Sequence, residues 1–110
     1  MPRAPTTLDA FNAIAEPRRR RLIELLAGRG RMTVTQVVVA LGWPQPMVSK
    51  HLGVLRALGL VRAERRSREQ LYSLDAGPLR DVHAWASHFE ELWDGQLSRI
   101  KRRAEAPPRK

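Results

Sequence analysis

The sequence predicts a mainly α-helical fold with one small β-hairpin, and three observations carry that expectation. Apolar residues recur at steps of three and four over most of the chain, the mark of helices that bury one face. One stretch departs from this: Leu60-Val61 and Leu71-Tyr72-Ser73-Leu74 flank a charged tip, Arg65-Arg66-Ser67-Arg68, as two strands flank a turn. Size sets the scale, since 110 residues suffice for one modest core and leave little for a second lobe.

The elements follow in order. Residues 1–6 and 104–110, each with two prolines, read as loose tails around a single domain over 7–103. A first helix is expected over about Leu8 to Ala15, with Thr7 as N-cap and Leu8, Phe11, Ile14 and Ala15 as its apolar stripe. Glu16-Pro17 opens the second, to about Ala27, with Leu22, Leu25 and Leu26 inward and Gly28 and Gly30 as its stop. Thr35 is the expected cap of a third, short helix that turns Val37, Val38 and Leu41 to the core. The breaker-rich segment Gly42-Trp43-Pro44-Gln45-Pro46 then leads into a helix from Met47 to Leu58, ended by Gly59. After the hairpin, one continuous helix is expected from Pro78 to about Arg103. Its stripe of Leu79, Val82, Ala86, Phe89, Trp93, Leu97 and Ile100 is longer than a small domain needs and suits a helix from a second copy.

Helix, tight turn, helix and basic-tipped hairpin, in that order, describe a winged helix-turn-helix, dimerising through its first and last helices. The charge agrees. The net charge is +9, and the segment from Pro17 to Leu74 alone holds twelve arginines and lysines against three acids, so the ends sum to zero. A cationic middle favours a polyanionic partner, and double-stranded DNA is the leading one. The chain lacks cysteine, which excludes disulfides and thiolate metal sites. With no apolar run of membrane-spanning length and no signal-peptide core, a cytoplasmic protein is expected, with no membrane partner.

In the helix after the turn, Val48, Leu52 and Leu55 share one face and should pack inward. Gln45, Pro46, Ser49, Lys50, Gly53 and Arg56 take the other. Gln45 can donate to and accept from one base edge in a major groove, Lys50 and Arg56 suit phosphates, and Gly53 clears space for a close approach. With His51 these are the candidate DNA-contacting residues of the recognition helix, and Arg65, Arg66 and Arg68 are those of the wing. The run Arg18 to Arg21 must point several ways, so one or two of its members are assigned to phosphate and the rest to solvent or Glu24. As an enzyme the chain has little to offer: Ser49 and His51 face different directions on one helix, and no acid is placed to orient the histidine.

Three stretches, AEPRRRRLIELL (Ala15 to Leu26), QPMVSKHLGVLRALGLV (Gln45 to Val61) and REQLYSLDAGPLRDV (Arg68 to Val82), resemble the ArsR family of bacterial winged-helix repressors. The resemblance spans about Leu8 to Arg103. It implies a homodimeric repressor whose two recognition helices enter successive major grooves of an inverted-repeat operator. Phe11 and Ile14 would join the last-helix stripe in the dimer interface. Ser67 stands where the family often has glycine.

The resemblance also implies a metal-sensing alternative, which these residues disfavour. Thr33-Val34-Thr35 replaces the family's cysteine pair, and Asp81-Val82-His83 matches only the first half of a second site, whose later positions hold Asp94 and the non-ligating Leu97. No metal or other cofactor is expected, and the effector is left unassigned. Trp85, Phe89 and Trp93 could line an apolar effector pocket, but aromatics at helical spacing are more often interface core. A dimeric interaction module without DNA binding is a further alternative, against which the concentrated charge argues.

Overall fold

A computed structural model describes residues 9–105. It contains six helices and one two-stranded antiparallel sheet: α1 (Ala10–Ile14), α2 (Pro17–Arg29), α3 (Val34–Leu41), α4 (Gln45–Ala57), β1 (Val61–Arg66), β2 (Glu69–Leu74), α5 (Leu79–Ser87) and α6 (Glu90–Glu105). Thr7, Leu8 and residues 1–6 lie outside the described residues, as do residues 106–110, so only the start of the expected C-terminal tail is described, and it belongs to α6.

Asp9, rather than Thr7, caps α1, its carboxylate accepting the Asn12 N–H at 3.1 Å. Its C-terminal end is held by α2: the Arg19 guanidinium donates to the Ala13 and Asn12 carbonyls at 2.8 and 2.9 Å, and Arg20 donates to the Ile14 carbonyl at 2.6 Å. A five-residue helix leaves most of its carbonyls without helical partners, and these two arginines supply the donors. They are therefore engaged with the carbonyls of α1 rather than with Glu24.

The cap of α3 is Thr33, two residues before the expected Thr35. Thr33 accepts the Gln36 N–H at 3.1 Å while the Gln36 side chain accepts the Thr33 N–H at 2.9 Å, a reciprocal capping box. Gly42 closes α3 in the left-handed conformation, at φ 69°, which a glycine adopts without a Cβ penalty. Trp43 packs half-buried on the core, and Pro44 and Pro46 sit where α4 needs no backbone donor.

The core lies among these helices and the base of the hairpin, with Leu22, Leu26, Val37, Val48, Leu52, Leu55 and Leu60 fully buried. Met32 joins the sheet through a bridge to Tyr72, exchanging backbone bonds of 2.9 and 2.8 Å, so the α2–α3 connection is tied to the wing. Strand pairing runs from Val61 opposite Leu74 to Arg66 opposite Glu69, leaving Ser67 and Arg68 as a two-residue tip. Ser67 takes the left-handed φ of 55° that such a turn asks of glycine, and the turn is tight even so.

The expected single C-terminal helix is broken. The Ser87 hydroxyl donates to the His83 carbonyl at 2.7 Å, and the next two N–H groups, of His88 and Phe89, reach back three residues instead of four. A serine bonded to the preceding turn bends a helix, and the tightened turn here separates α5 from α6. Leu79 and Val82, assigned to the dimer stripe, pack half-buried against the chain's own core.

His51, expected among the DNA-contacting residues, points inward from α4 and is only 7 % exposed, with its Nδ1 lacking a hydrogen-bond partner among the described residues. Burial holds its pKa below the usual histidine value, helped by Arg19, Lys50 and Arg18 and opposed by the Glu16 carboxylate. The unfolded chain thus binds the proton more readily than the folded one. Stability is full above about pH 6.5, the ordinary histidine value, and falls as pH drops through it towards the folded pKa.

Two stability measurements follow. Thr33→Ala is expected to cost about 1 kcal/mol in urea unfolding, whereas Thr35→Ala, at an exposed position, changes little. The urea midpoint of the chain falls between pH 7.5 and 5.5 (solution settings of order one unit either side of the histidine value), and His51→Leu removes most of that slope; an unchanged slope would place the titration elsewhere.

Candidate nucleic-acid interface

Helix α4 presents two faces. Val48, His51, Leu52 and Leu55 are buried, while Gln45, Pro46, Ser49, Lys50, Gly53 and Arg56 are all exposed. The helical repeat brings the exposed set onto one side, and the Gln45 amide donates to the Ser49 hydroxyl at 3.1 Å. This bond fixes the amide at the N-terminal end of the helix, with its carbonyl oxygen left to accept and its second N–H left to donate. A base edge with adjacent donor and acceptor is the chemical match.

Gly53 is notable for what does not surround it. It lies inside a 13-residue helix, and a Cβ built there meets no atom within 4 Å. Neither packing nor an unusual φ requires glycine, although glycine disfavours a helix interior by about 1 kcal/mol relative to alanine. Among the described residues, then, nothing explains it.

On the wing, the basic residues divide by partner. Arg62 is bonded to Asp75 at 2.9 Å, and Glu64 is shared between Arg31 at 3.0 Å and Arg66 at 3.6 Å. Arg65 and Arg68 carry no ion pair among the described residues, and neither do Lys50 and Arg56 of α4. All these pairs are solvent-exposed and so worth little to stability. Their effect is to distribute charge, leaving the cations of the tip and of the exposed α4 face without an ion pair among the described residues.

Two acids are held in their charged form by local donors. The Arg18 N–H and the Arg18 guanidinium hold the Glu16 carboxyl below its usual range, at the start of α2. Asp75 is held low by the Gly77 N–H at 3.0 Å and by Arg62, which fixes the exit of the wing. The pairs Arg31–Glu64 and Arg62–Asp75 are not legible in the sequence, because oppositely charged residues paired across 33 and 13 positions leave no local signal.

Of the interface candidates, Phe11, Phe89, Trp93, Leu97 and Ile100 are exposed at 39, 37, 45, 62 and 62 %, and Trp85 at 57 %. Ile14 and Ala86 are half-buried. The rings form a row, Phe11 to Trp85 at 6.0 Å edge-on, Trp85 to Phe89 at 5.3 Å and Phe89 to Trp93 at 6.3 Å. It lies on the surface and lines no part of the groove of about 380 Å³ beside Arg29, Arg31, Met32, Thr35, Gln36, Val39 and Ala40. Asp81 and His83 are exposed on α5, and among the described residues no three acids or histidines come together as a metal site would need. No described helix is long and apolar enough to cross a membrane.

The chain is similar to known proteins over most of its length. Residues 16–63 match the family described as bacterial regulatory protein, arsR family. The transcriptional repressor SdpR of Bacillus subtilis is 30 % identical over 81 % of this chain and 98 % of its own. The HTH-type transcriptional repressor SmtB of Mycobacterium tuberculosis is 41 % identical over 60 % of this chain and 48 % of its own. Among solved structures, an ArsR-like transcriptional regulator from Rhodococcus sp. RHA1 superposes with a TM-score of 0.67 at 25 % identity, covering 93 % of both chains. Helix-turn-helix, wing and relatives agree: the chain belongs to the ArsR family of winged helix-turn-helix transcriptional regulators and is not an enzyme.

Proposed function

We propose that this protein is a cytoplasmic homodimeric repressor that binds an inverted-repeat operator in duplex DNA, reading bases with Gln45 and Ser49. The observation that carries this reading is the polar face of α4, exposed from Gln45 to Arg56 and free of ion pairs among the described residues. Lys50 and Arg56 of that face would bind phosphates, and Arg65 and Arg68 of the wing would reach the flanking groove, with Arg66 released from Glu64 on contact. The exposed row from Phe11 to Ile100 would be covered by a second copy, placing two recognition helices on one face of the duplex. Repression needs no chemistry, since a dimer seated on a promoter excludes polymerase. The names of the relatives, repressors in Bacillus and Mycobacterium, support that direction of control.

Selection of bound duplexes from a random pool tests the whole reading by returning a site with two symmetric halves; an asymmetric or absent consensus would defeat it. On the selected site, Gln45→Ala costs about 1–3 kcal/mol and relaxes preference at one base pair, whereas Arg68→Ala weakens all sequences alike and lowers the salt slope by about 0.9. Gly53→Ala stabilises the free protein by about 0.5–1 kcal/mol in urea unfolding and weakens DNA binding. Stabilisation with unchanged DNA affinity would show that no backbone approach occurs there.

A further inference from the structure

Of the large apolar side chains described, Val39 is the most exposed, at 77 %. It stands on α3 and lines the groove of about 380 Å³ bounded by α3, the α2–α3 connection and Arg29, the last residue of α2. No ring of the aromatic row reaches this groove, so the proposed dimer face does not account for Val39.

The polar groups around the groove share one chemical character. Arg29 and Arg31 carry guanidiniums, which donate and never accept. The Gln36 amide has its carbonyl oxygen engaged by the Thr33 N–H at 2.9 Å and keeps its own N–H donors. Thr35 adds an exposed hydroxyl, and no acid is among the described residues that line the groove. The dipole of α2 favours a cation at its end, yet Arg29 has no ion pair among the described residues. Met32, Val39 and Ala40 supply the apolar lining. Small-molecule sites of about 300–1,000 Å³ combine an apolar lining with a few placed polar groups. A rim of donors beside exposed valine suits an anion that carries an apolar body, because a carboxylate accepts from guanidinium in paired, charge-assisted bonds.

Arg31 also connects the groove to the wing. Its guanidinium donates to one oxygen of the Glu64 carboxylate at 3.0 Å, and the Arg66 guanidinium stands 3.6 Å from the other oxygen. An anion that competes for Arg31 leaves Glu64 to Arg66 alone. Arg66 held there is withdrawn from DNA.

We propose that this groove binds a small monocarboxylate with a short apolar tail, its carboxylate toward Arg29 and Arg31 and its tail on Val39 and Ala40, and that binding weakens the hold on DNA through Arg31, Glu64 and Arg66. The site stands apart from the DNA-binding reading, and its link to the wing rests on that reading. By linkage the effect is reciprocal, so DNA that draws Arg66 off Glu64 disfavours the ligand.

Titration calorimetry with sodium hexanoate tests the site on the free chain. Saturable binding of one hexanoate per chain is expected, with a dissociation constant of the order of a millimolar. Acetate and inorganic phosphate, which lack the tail, should bind about tenfold more weakly. Arg29→Leu and Val39→Ser, both at exposed positions, should each weaken hexanoate binding about tenfold and leave the urea midpoint in place. Absence of saturable binding, phosphate binding as tight as hexanoate, or full affinity in both variants would overturn the site. On the operator selected as above, saturating hexanoate should weaken DNA binding about fivefold relative to the same concentration of acetate. Glu64→Gln should retain hexanoate binding and lose this effect; an undiminished effect would overturn the route through Arg66. Hexanoate that binds and leaves DNA affinity unchanged would overturn the link and leave the site standing. An unaltered chain that binds no DNA without hexanoate would remove the regulator reading, while the calorimetry would still decide the site.

Discussion

The inner face of α4 is the constraint on which the rest depends. Val48, Leu52 and Leu55 are fully buried, so the rotation of the helix about its own axis is set by the core. A helix has only one way to bury three such residues at steps of four and three, and the opposite side is then fixed. Gln45, Ser49, Lys50 and Arg56 need no further device to be aligned toward an outside partner. Packing energy, supplied by leucine and valine, thereby fixes the geometry of the exposed polar face of α4.

Arginine serves different purposes along the chain, and chemistry alone does not distinguish them. Arg19 and Arg20 terminate α1 by donating to its carbonyls, Arg31, Arg62 and Arg66 bridge to acids around the wing, and Arg65 and Arg68 are left unpaired among the described residues. The guanidinium's planar fork of donors suits backbone carbonyls, carboxylates and phosphates equally. What separates the three groups is which acceptor the fold brings within 3 to 4 Å.

Away from α4, a row of aromatic rings runs from α1 across α5 towards α6. Part of the expected stripe, Leu79 and Val82, is used by the chain itself, and the remainder stays exposed because the chain ends its own packing there. The bend at Ser87 divides the two uses: α5 leans on the core, while α6 leaves it. A face this apolar is the kind that monomers rarely keep uncovered.

The sequence by itself determined the element types, the two-faced α4, the hairpin and the family, because apolar periodicity, turn residues and the Gln45 to Val61 motif are local patterns. The cap of α3 was decided by backbone geometry, which brings Thr33 rather than the expected Thr35 within reach of the Gln36 N–H. Tertiary structure alone decided that His51 turns inward, since a helix residue beside the polar face is buried or exposed according to what α2 places over it. It likewise decided that Arg19 and Arg20 close α1, that Glu64 holds Arg31 and Arg66, and that the last helix breaks after Ser87. Each of these depends on a partner brought close by folding or on a side chain competing for a backbone carbonyl, and neither is recorded in the spacing of residues along a chain.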